Sequence, residues 1–513
     1  MNFLKSAFTI SIFTLVSRFF GFFRDIFFAK YLGSGQLADI FLTAFKLPNF
    51  FRNIFAEGAF NSAFVPIFSS ELIKDKENKY LIKFSRNIFS LLLYILLIFT
   101  LIIEIFMPYV VKIIAAGFSE MPGKFELTVN LSRITFFYLI FISLVSFMSG
   151  ILNSMNKFAV VSICPVILNI TFIVFSILST HFNINIALLL SYAVLIGGIL
   201  QLFWLFFFTI KEKIILYPIY PKIDNLTKTF FKNFFNGILS SGIIQINSII
   251  DSIMAAKIAG AISFIYYADR ISQLPLALIG TAISISILPL LSKKIVLENI
   301  EEINKTQEDA IFLGLFLGLP CMVCLYFLSD ITIPILFERG AFTQNDSFAV
   351  ISCLKIYAFA LPIFITIKIL QAIFFANKDT KTPMKASFCS LIINVLLNII
   401  LIRFLSYRGI ILSTVLASFT NVLILLFILV KQKKLLFSEI FQLQLVKILY
   451  CLIFMIIFLC FLKKFIVVDI EDLILLKLFK LCIIGGLSIL LYICIGFFIG
   501  LINKGLLKKF IKK

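Results

Sequence analysis

Arginines in apolar stretches are the residues of this sequence that could do chemistry. Only nine of the 46 basic residues are arginine, yet five of them lie in or beside long apolar runs: Arg18, Arg24, Arg52, Arg133 and Arg270. A guanidinium is always charged, and its planar fork binds carboxylate or phosphate through two hydrogen bonds, which an ammonium cannot do. A charge at membrane depth costs about 2.5 to 3.5 kcal/mol on insertion scales, so each needs a partner or a function. The pattern favours recognition of an anion.

Other polar residues accompany the arginines on the same apolar stretches. They are Ser17, Asp25, Asp39, Lys46, Asn49, Glu57 and Asp269. On a helical wheel, Arg18 and Asp25 share one stripe beside Arg24, so the polar half of this first helix must face water or other helices.

A structural alternative is that these charges only pair with each other and hold the helices together. Arg24 with Asp39 and Arg52 with Glu57 are the pairs we consider. We favour a bound anion because the basic side chains in these stretches outnumber what structural pairing alone requires.

A second polar group lies further along the chain. It consists of Asp251 with Gln245 and Asn247, of Asn394 and Asn398, and of Thr414. One carboxylate with amide and hydroxyl oxygens could bind sodium, since hard cations prefer oxygen ligands. Hydrogen bonding between helices is the alternative for the same side chains. The group is a candidate sodium site, and we expect no other cofactor.

Residue counts exclude the common kinds of enzyme site. His181 is the only histidine, which rules out a Ser-His-Asp triad and a histidine-based metal site. Glycine-rich phosphate loops are also absent from the sequence. Cys321 and Cys324 form a C-x-x-C pair inside an apolar run, and without partner ligands we interpret them as small buried hydrophobic residues. We expect that the protein is not an enzyme.

The elements that must position these side chains are membrane helices. Hydrophobic residues make up 61% of the chain and charged residues 14%, against roughly 45 to 50% and about 25% in soluble domains. Apolar runs near the ~20 residues that cross a hydrocarbon core recur from end to end. We predict an all-α polytopic membrane protein with about fourteen spans, twelve being the alternative. The predicted spans are centred near Leu15, Phe51, Ile98, Phe141, Phe172, Ile196, Ile243, Ile279, Phe316, Tyr357, Val395, Leu423, Phe454 and Ile489.

The net charge of +20 indicates membrane topology rather than nucleic-acid binding. With a cytoplasmic N-terminus, the inward connections and the C-terminal tail carry about 26 basic residues and the outward connections about eleven, as the positive-inside rule requires. We therefore place both termini in the cytoplasm and expect no nucleic-acid partner. The sixth connection contributes Lys211, Lys213, Lys222, Lys228 and Lys232 to the inward set.

A weak internal repeat predicts how the chain is divided. Asp39 followed by Pro48 in the second span is echoed by Asp269 followed by Pro275 in the eighth. Spans six apart have the same direction, so the halves would be parallel repeats. Chance recurrence in a biased composition is the alternative. The predicted parts are an N-terminal lobe (1–210), a C-terminal lobe (211–432), and two last spans with a basic tail (433–513).

Ordered motifs in the first 66 residues are the most specific feature of the sequence. They are Ser17-Arg18, Gly21, Arg24-Asp25, Ala38-Asp39, Lys46-Leu47-Pro48-Asn49, Arg52, Phe55-Ala56-Glu57-Gly58-Ala59-Phe60 and Pro66. Later segments are Tyr266-Tyr267-Ala268-Asp269-Arg270, Leu274-Pro275 and Lys378-Asp379-Thr380-Lys381-Thr382-Pro383. Together they resemble the MurJ (MviN) lipid II flippase family of the multidrug/oligosaccharidyl-lipid/polysaccharide exporter superfamily, over essentially the whole chain.

The resemblance implies two six-helix lobes around a central cavity, and two further helices that form a lipid groove. It implies that lipid II, an undecaprenyl-pyrophosphate bearing a disaccharide-peptide, is flipped from the cytoplasmic to the periplasmic leaflet of a bacterial inner membrane. Membrane lipids and cell-wall synthesis proteins are the other partners we expect. Carried over by position, the cavity arginines are Arg18, Arg24, Arg52 and Arg270, with Asp39, Glu57 and Asp269 as acidic companions. The family often has glutamate where this sequence has Gln273.

We predict alternating access around the arginines, driven by the membrane potential, by a sodium gradient or by consumption of the product. The alternatives are export of another lipid-linked oligosaccharide, a drug antiporter of the same superfamily, and a non-transporting scaffold. Export of cationic drugs would require an acidic cavity, which the buried arginines oppose. A scaffold would not need Arg18 and Arg24 together.

Overall fold

The computed structural model describes residues 3–53, 60–74, 79–121, 123–182, 184–468 and 472–501. Over these ranges the chain forms helices joined by turns and short extended connections, and no β-strand occurs in them. The predicted all-α class is confirmed.

Nineteen α-helices follow one another along the described ranges. In chain order they are α1 (Phe3–Leu32), α2 (Gln36–Arg52), α3 (Asn61–Lys74), α4 (Lys79–Ile114), α5 (Lys124–Phe136), α6 (Tyr138–Ser154), α7 (Phe158–Ser162), α8 (Cys164–Phe182), α9 (Ile186–Lys211), α10 (Asn225–Ala255), α11 (Ala261–Pro275), α12 (Ala282–Val296), α13 (Ile300–Phe327), α14 (Ser329–Phe337), α15 (Gln344–Ala376), α16 (Lys381–Leu405), α17 (Tyr407–Lys431), α18 (Glu439–Phe465) and α19 (Ile474–Phe498). A π-helical turn, Leu276–Thr281, joins α11 to α12. It follows Pro275, whose missing N–H cannot continue the regular helical hydrogen bonds.

Eleven helical segments within the described ranges are long and apolar enough to cross a membrane. Each contains one of the predicted span centres, from Ile98 in Tyr80–Ile114 to Ile489 in Ile474–Phe498. Three predicted centres lie outside these segments: Leu15 in α1, Phe51 in α2 and Ile243 in α10. The multi-pass prediction is confirmed, and the count of fourteen stays a prediction.

The chain packs into two compact units. The first comprises Met1–Ser263 and Arg339–Thr343, and the second comprises Phe264–Glu338 and Gln344–Lys513. These units follow spatial contacts, whereas the predicted lobes follow the sequence repeat. The lobe boundaries after residues 210 and 432 stay a prediction.

The segment Arg339–Thr343 joins the first unit although it lies between α14 and α15 in sequence. The backbone N–H of Ala341 donates to the Lys30 carbonyl at the end of α1, at 2.8 Å. Gly340 has φ of 63°, and a Cβ there would come within 2.2 Å of the same carbonyl oxygen. Only glycine fits this close backbone approach.

Aromatic side chains fill the core of the first unit. Phe28 in α1, Phe41 in α2 and Phe172 in α8 are buried and pack edge to face, with ring centroids 5.2 to 6.2 Å apart. Phe60 and Phe147 make the same kind of contact at 5.6 Å. Edge-to-face packing brings the positive ring edge to the negative ring face. The contacts among Phe28, Phe41 and Phe172 hold α1, α2 and α8 together next to Arg24.

The second unit has an aliphatic core with glycines at its helix contacts. A Cβ on Gly314 would approach Ile369 to 2.5 Å, and one on Gly318 would approach Ile365 to 2.8 Å. A Cβ on Gly280 of the π-helical turn would also approach Ile365, to 3.3 Å. Small residues let helices come close in a membrane, where dispersion contacts drive packing. The core thereby holds α13 and the turn after α11 against α15.

Candidate functional site

Arg24 lies in α1 among two polar partners and two aromatic rings. Its Nε and Nη2 donate to Oδ1 of Asp25 at 3.0 and 2.8 Å, and its Nη1 donates to Oδ1 of Asn169 at 3.0 Å. Its Cζ lies 5.4 Å from the ring centroid of Phe28 and 5.8 Å from that of Phe172. Arg24 is 8% exposed and Asp25 is 2% exposed. An anion that binds Arg24 in this arrangement must compete with Asp25 for the Nε and Nη2 edge.

Ser17 and Arg18 precede Arg24 on the same helix. The Nδ2 of Asn169 donates to the Ser17 carbonyl at 3.3 Å. Gly21 leaves room for this amide, since a Cβ at that position would lie 3.5 Å from the Asn169 Nδ2. Asn169 thus contacts α1 with both ends of its side-chain amide. Ser17 is half-buried, and the Arg18 side chain is exposed.

Asp39 occupies a buried position in the first turn of α2. Its Oδ2 accepts from Lys124 Nζ at 3.2 Å and from the Gly260 N–H at 2.8 Å. Its Oδ1 accepts from the N–H and the hydroxyl of Ser263 at 3.0 and 3.1 Å. The carboxylate therefore joins α2 to α5, to Gly260 before α11 and to the first turn of α11. This is a structural set of contacts, in which each carboxylate oxygen accepts two hydrogen bonds.

The ion pairs considered from the sequence have different outcomes. Arg24 pairs with Asp25, and Asp39 pairs with Lys124, so the alternative pair of Arg24 with Asp39 is wrong. The reason is that both Asp39 oxygens are occupied by Lys124 and by the N–H groups of Gly260 and Ser263. Glu57 lies outside the described residues, and so does its pairing with Arg52.

Lys46, Asn49 and Arg52 lie along α2 and are half-buried. Lys46 Nζ donates to the Ser248 carbonyl of α10 at 2.9 Å and to the Ser252 hydroxyl. Arg52 Nε donates to Asn49 Oδ1 at 3.1 Å. Lys46 thus bridges α2 and α10, whereas Asn49 orients the guanidinium of Arg52 one turn further on.

Asp269 and Arg270 lie on α11 in the second unit and are half-buried. The Cζ of Arg270 lies 4.8 Å from the ring centroid of Tyr266. Gln273 Nε2 donates to Asp269 Oδ2 at 2.5 Å. An ionised glutamate has no proton to donate, so the glutamine at position 273 makes a contact that the more usual residue of the resembled family could not make.

The predicted sodium ligands lie on three helices. Asp251 is in α10 of the first unit, whereas Asn394 and Asn398 are in α16 and Thr414 is in α17 of the second. Asn398 Nδ2 donates to Asn394 Oδ1 at 3.3 Å, and both residues are buried. Within the described ranges, no three His, Cys, Asp or Glu side chains form a group that could hold a metal. A site built from amide and hydroxyl oxygens stays a prediction.

Asn169 and Lys124 are two site residues that the sequence interpretation missed. Asn169 had a usable signal, because an amide inside the apolar span around Phe172 needs a hydrogen-bond partner. Lys124 had none, because it follows Gly123 in a connection where an exposed lysine is the ordinary expectation. The structure buries Lys124 to 2% exposure.

Comparison with known proteins identifies the family of the chain. The family profile described as "Lipid II flippase MurJ" matches residues 28–478. The chain belongs to the MurJ lipid II flippase family. A relative named "Probable lipid II flippase MurJ" from Rickettsia prowazekii (strain Madrid E) is 38% identical over 465 residues, 91% of each chain. Another of that name from Rhizobium tropici is 38% identical over 425 residues, 82% of this chain and 80% of its own.

Solved structures agree with the MurJ assignment. The structure titled "Lipid II flippase MurJ, inward closed conformation" matches with a TM-score of 0.79 at 29% identity, covering 95% of this chain and 98% of its own. An inward-facing multidrug resistance MATE family transporter matches with a TM-score of 0.65 at 15% identity, covering 82% of this chain and 96% of its own. The second likeness shows the fold alone. It confirms that this MurJ-family chain shares the exporter fold that the sequence motifs implied.

The range of the MurJ profile divides the predicted arginines. Arg52 and Arg270 lie inside residues 28–478, whereas Arg18 and Arg24 precede residue 28. Arg18 and Arg24 nevertheless belong to the ordered motifs of the first 66 residues, which carry the resemblance to the family. The substrate roles of all four arginines stay predictions.

Proposed function

We propose that the protein flips lipid II across the membrane. The observation that carries the proposal is the 38% identity to a probable lipid II flippase over 91% of both chains. Membership of a flippase family, rather than of an enzyme family, supports translocation without a covalent step. The predicted alternating access fits the shared exporter fold.

Arg18, Arg24, Arg52 and Arg270 are the proposed donors to the pyrophosphate. Two features of the described residues support these roles. The exposed Arg18 side chain can reach a ligand, and Arg24 is held in one rotamer by Asp25 and Asn169, which lowers the entropy lost on binding. Asn49 restricts the Arg52 side chain in the same way, because its Oδ1 accepts from the Arg52 Nε. Lys46 and Ser17 complete the proposed set in the first unit, and Asp39, Glu57 and Asp269 are its proposed acidic members.

The proposed location is the bacterial inner membrane, with both termini in the cytoplasm. The asymmetry of about 26 basic residues against about eleven supports this orientation. Fusion of a reporter that is active only in the cytoplasm to each terminus tests it. An inactive reporter at either terminus, in a fusion that is expressed normally, contradicts the orientation. Membrane lipids and cell-wall synthesis proteins stay the further partners we propose.

A sodium gradient is one of three proposed energy sources, beside the membrane potential and consumption of the product. Its proposed ligands are Asp251, Asn394, Asn398 and Thr414. The burial of Asn394 and Asn398 at 1% and 0% exposure supports a desolvated oxygen site. Transport rates in vesicles with and without a sodium gradient test the proposal, with Asp251→Asn as the variant. Rates indifferent to both changes exclude this site as the coupling site.

Depletion of the native flippase in a bacterial host tests the substrate. The host receives the wild-type chain, Arg24→Ala or Arg270→Ala, and externally accessible lipid II is measured. We expect rescue by the wild type and loss of rescue by both variants at equal membrane expression. A well-expressed wild type that does not rescue contradicts lipid II as the substrate. Rescue by both variants contradicts the arginine roles and leaves the substrate assignment intact.

A further inference from the structure

The connection between α9 and α10 forms an extended strap, residues 212–224, fastened along α4. Arg86 of α4 holds its first part: Nε donates to the Ile215 carbonyl at 2.8 Å, and Nη1 donates to the Tyr217 hydroxyl at 2.7 Å. The guanidinium also covers the Tyr217 ring, with Cζ 4.0 Å from the centroid. A cation over an aromatic ring at this distance is attractive.

Asn87 and Ser90 hold the second part of the strap. The Ile219 N–H donates to Ser90 Oγ at 2.8 Å, and the Lys222 N–H donates to Asn87 Oδ1 at 2.7 Å. Pro218 and Pro221 restrict the backbone to extended conformations between these contacts. The strap is therefore a built element with a fixed orientation on α4.

The strap has an inner face and an outer face. Ile214 and Leu216 are each 2% exposed and point inward. The outer face carries four large side chains at high exposure: Ile215 (49%), Tyr217 (47%), Tyr220 (88%) and Ile223 (67%). A row of exposed apolar and aromatic side chains on a fixed backbone marks an interaction surface.

The charge on the outer face is positive. Lys211, Lys213 and Lys222 are exposed. Glu212 is neutralised by its ion pair with Lys157 at 2.7 Å, whereas Asp224, which accepts from the Thr227 N–H at the start of α10, keeps its negative charge. Lys211 at the end of α9, Lys213, Lys222 and Arg86 supply four positive charges against this one negative charge. The surface is therefore complementary to an anionic partner.

The position of the strap on α4 indicates what that partner is. The apolar part of this helix, Tyr80–Ile114, has 35 residues and is about 52 Å long at 1.5 Å per residue, against about 30 Å of hydrocarbon. One end must extend into the headgroup layer or beyond it. The strap is fastened within the first four turns of α4, at Arg86, Asn87 and Ser90.

We propose that the outer face of the strap lies in the headgroup layer and binds anionic membrane lipid. Tyrosine with an apolar body and a polar tip is favoured at this depth, and lysine can place its stem along the lipid while its ammonium meets phosphate. Tyr217 and Tyr220 supply the aromatic part, and Lys213 and Lys222 the charge. The strap holds α9, α4 and α10 at one level of the membrane.

Photocrosslinking in nanodiscs tests the proposal on the full-length protein. Tyr220 is replaced by p-benzoyl-phenylalanine, and nanodiscs contain equal amounts of phosphatidylglycerol and phosphatidylcholine. We expect about threefold or greater preference for phosphatidylglycerol. The matched control carries the same photoreactive residue in place of Tyr109, which is 67% exposed near the other end of α4, and should show no such preference.

Lysine variants separate lipid binding from a merely structural role. Combined Lys211→Gln, Lys213→Gln and Lys222→Gln should abolish the phosphatidylglycerol preference, while the three corresponding Lys→Arg changes should keep it. Size-exclusion profiles establish that each variant is folded. Equal crosslinking to both lipids in the wild type, crosslinking only to the protein itself, or a preference that survives the glutamine changes would each overturn the proposal. The readout does not depend on lipid II.

Discussion

Lys124 and Asp39 form an ion pair of 3.2 Å whose side chains are 1% and 0% exposed. Their positions are 85 residues apart in sequence, on α5 and α2. Lys124 also lies 3.9 Å from the ring centroid of Phe118. A buried charge is tolerated because its partner and its hydrogen bonds replace water.

Removal of one member of this pair should destabilise the protein strongly. Asp39→Ala leaves Lys124 buried without its carboxylate, and Lys124→Met leaves the carboxylate without its cation. Each should cost about 3 to 5 kcal/mol, measured as a lower midpoint of thermal unfolding in detergent. The double variant should lose clearly less than the two single losses added together. Additive losses would contradict the pairing.

Asn169 should position Arg24 for its proposed substrate. Asn169→Leu removes the acceptor of Arg24 Nη1 and should lower lipid II flipping about tenfold, as expected for a lost hydrogen bond to a charged group. Asn169→Asp keeps an acceptor and should retain most of the activity. The measurement is externally accessible lipid II in the depleted host, at matched expression. Wild-type activity of Asn169→Leu would show that this hydrogen bond does not matter for transport.

Gly340 should be intolerant of any side chain. Gly340→Ala combines a positive φ of 63° with a Cβ 2.2 Å from the Lys30 carbonyl oxygen. Gly123→Ala is the matched control, because it has φ of 72° but no atom within 4 Å of the added Cβ. The control should cost about 1 to 2 kcal/mol from backbone strain alone. Gly340→Ala should lower the unfolding midpoint further, and an equal shift would contradict the close approach.

Asp379 should make a small contribution to stability that depends on pH. The Thr382 hydroxyl, which donates to its Oδ2 at 2.6 Å, lowers the pKa of Asp379 below its ordinary value. This contribution is complete above the unfolded pKa of about 3.9 and is lost as pH falls through the lower folded pKa. Thr382→Val should lower the unfolding midpoint at pH 6, with the difference from wild type shrinking below about pH 4. A difference that is constant with pH would contradict the linkage.

Much of the architecture was predictable because it depends on local sequence. Apolar runs of membrane length predict helices wherever they occur, since a lipid environment forces backbone groups to bond within each segment. Eleven of the predicted spans coincide with helices in the described ranges that are long and apolar enough to cross a membrane. The motif order from Ser17 to Pro66 indicated the family in the same way, because a motif is read from types and spacing alone.

The choice of partners was decided only by the tertiary structure. From the sequence, Arg24 could pair with Asp39. In the structure Arg24 instead contacts Asp25 and Asn169, and Asp39 pairs with Lys124. The physical reason is that hydrogen bonds and ion pairs act over a few ångströms, whereas these partners are up to 145 residues apart. The sequence by itself determined which side chains are costly in a membrane. Packing of the helices decided which neighbour compensates each of them.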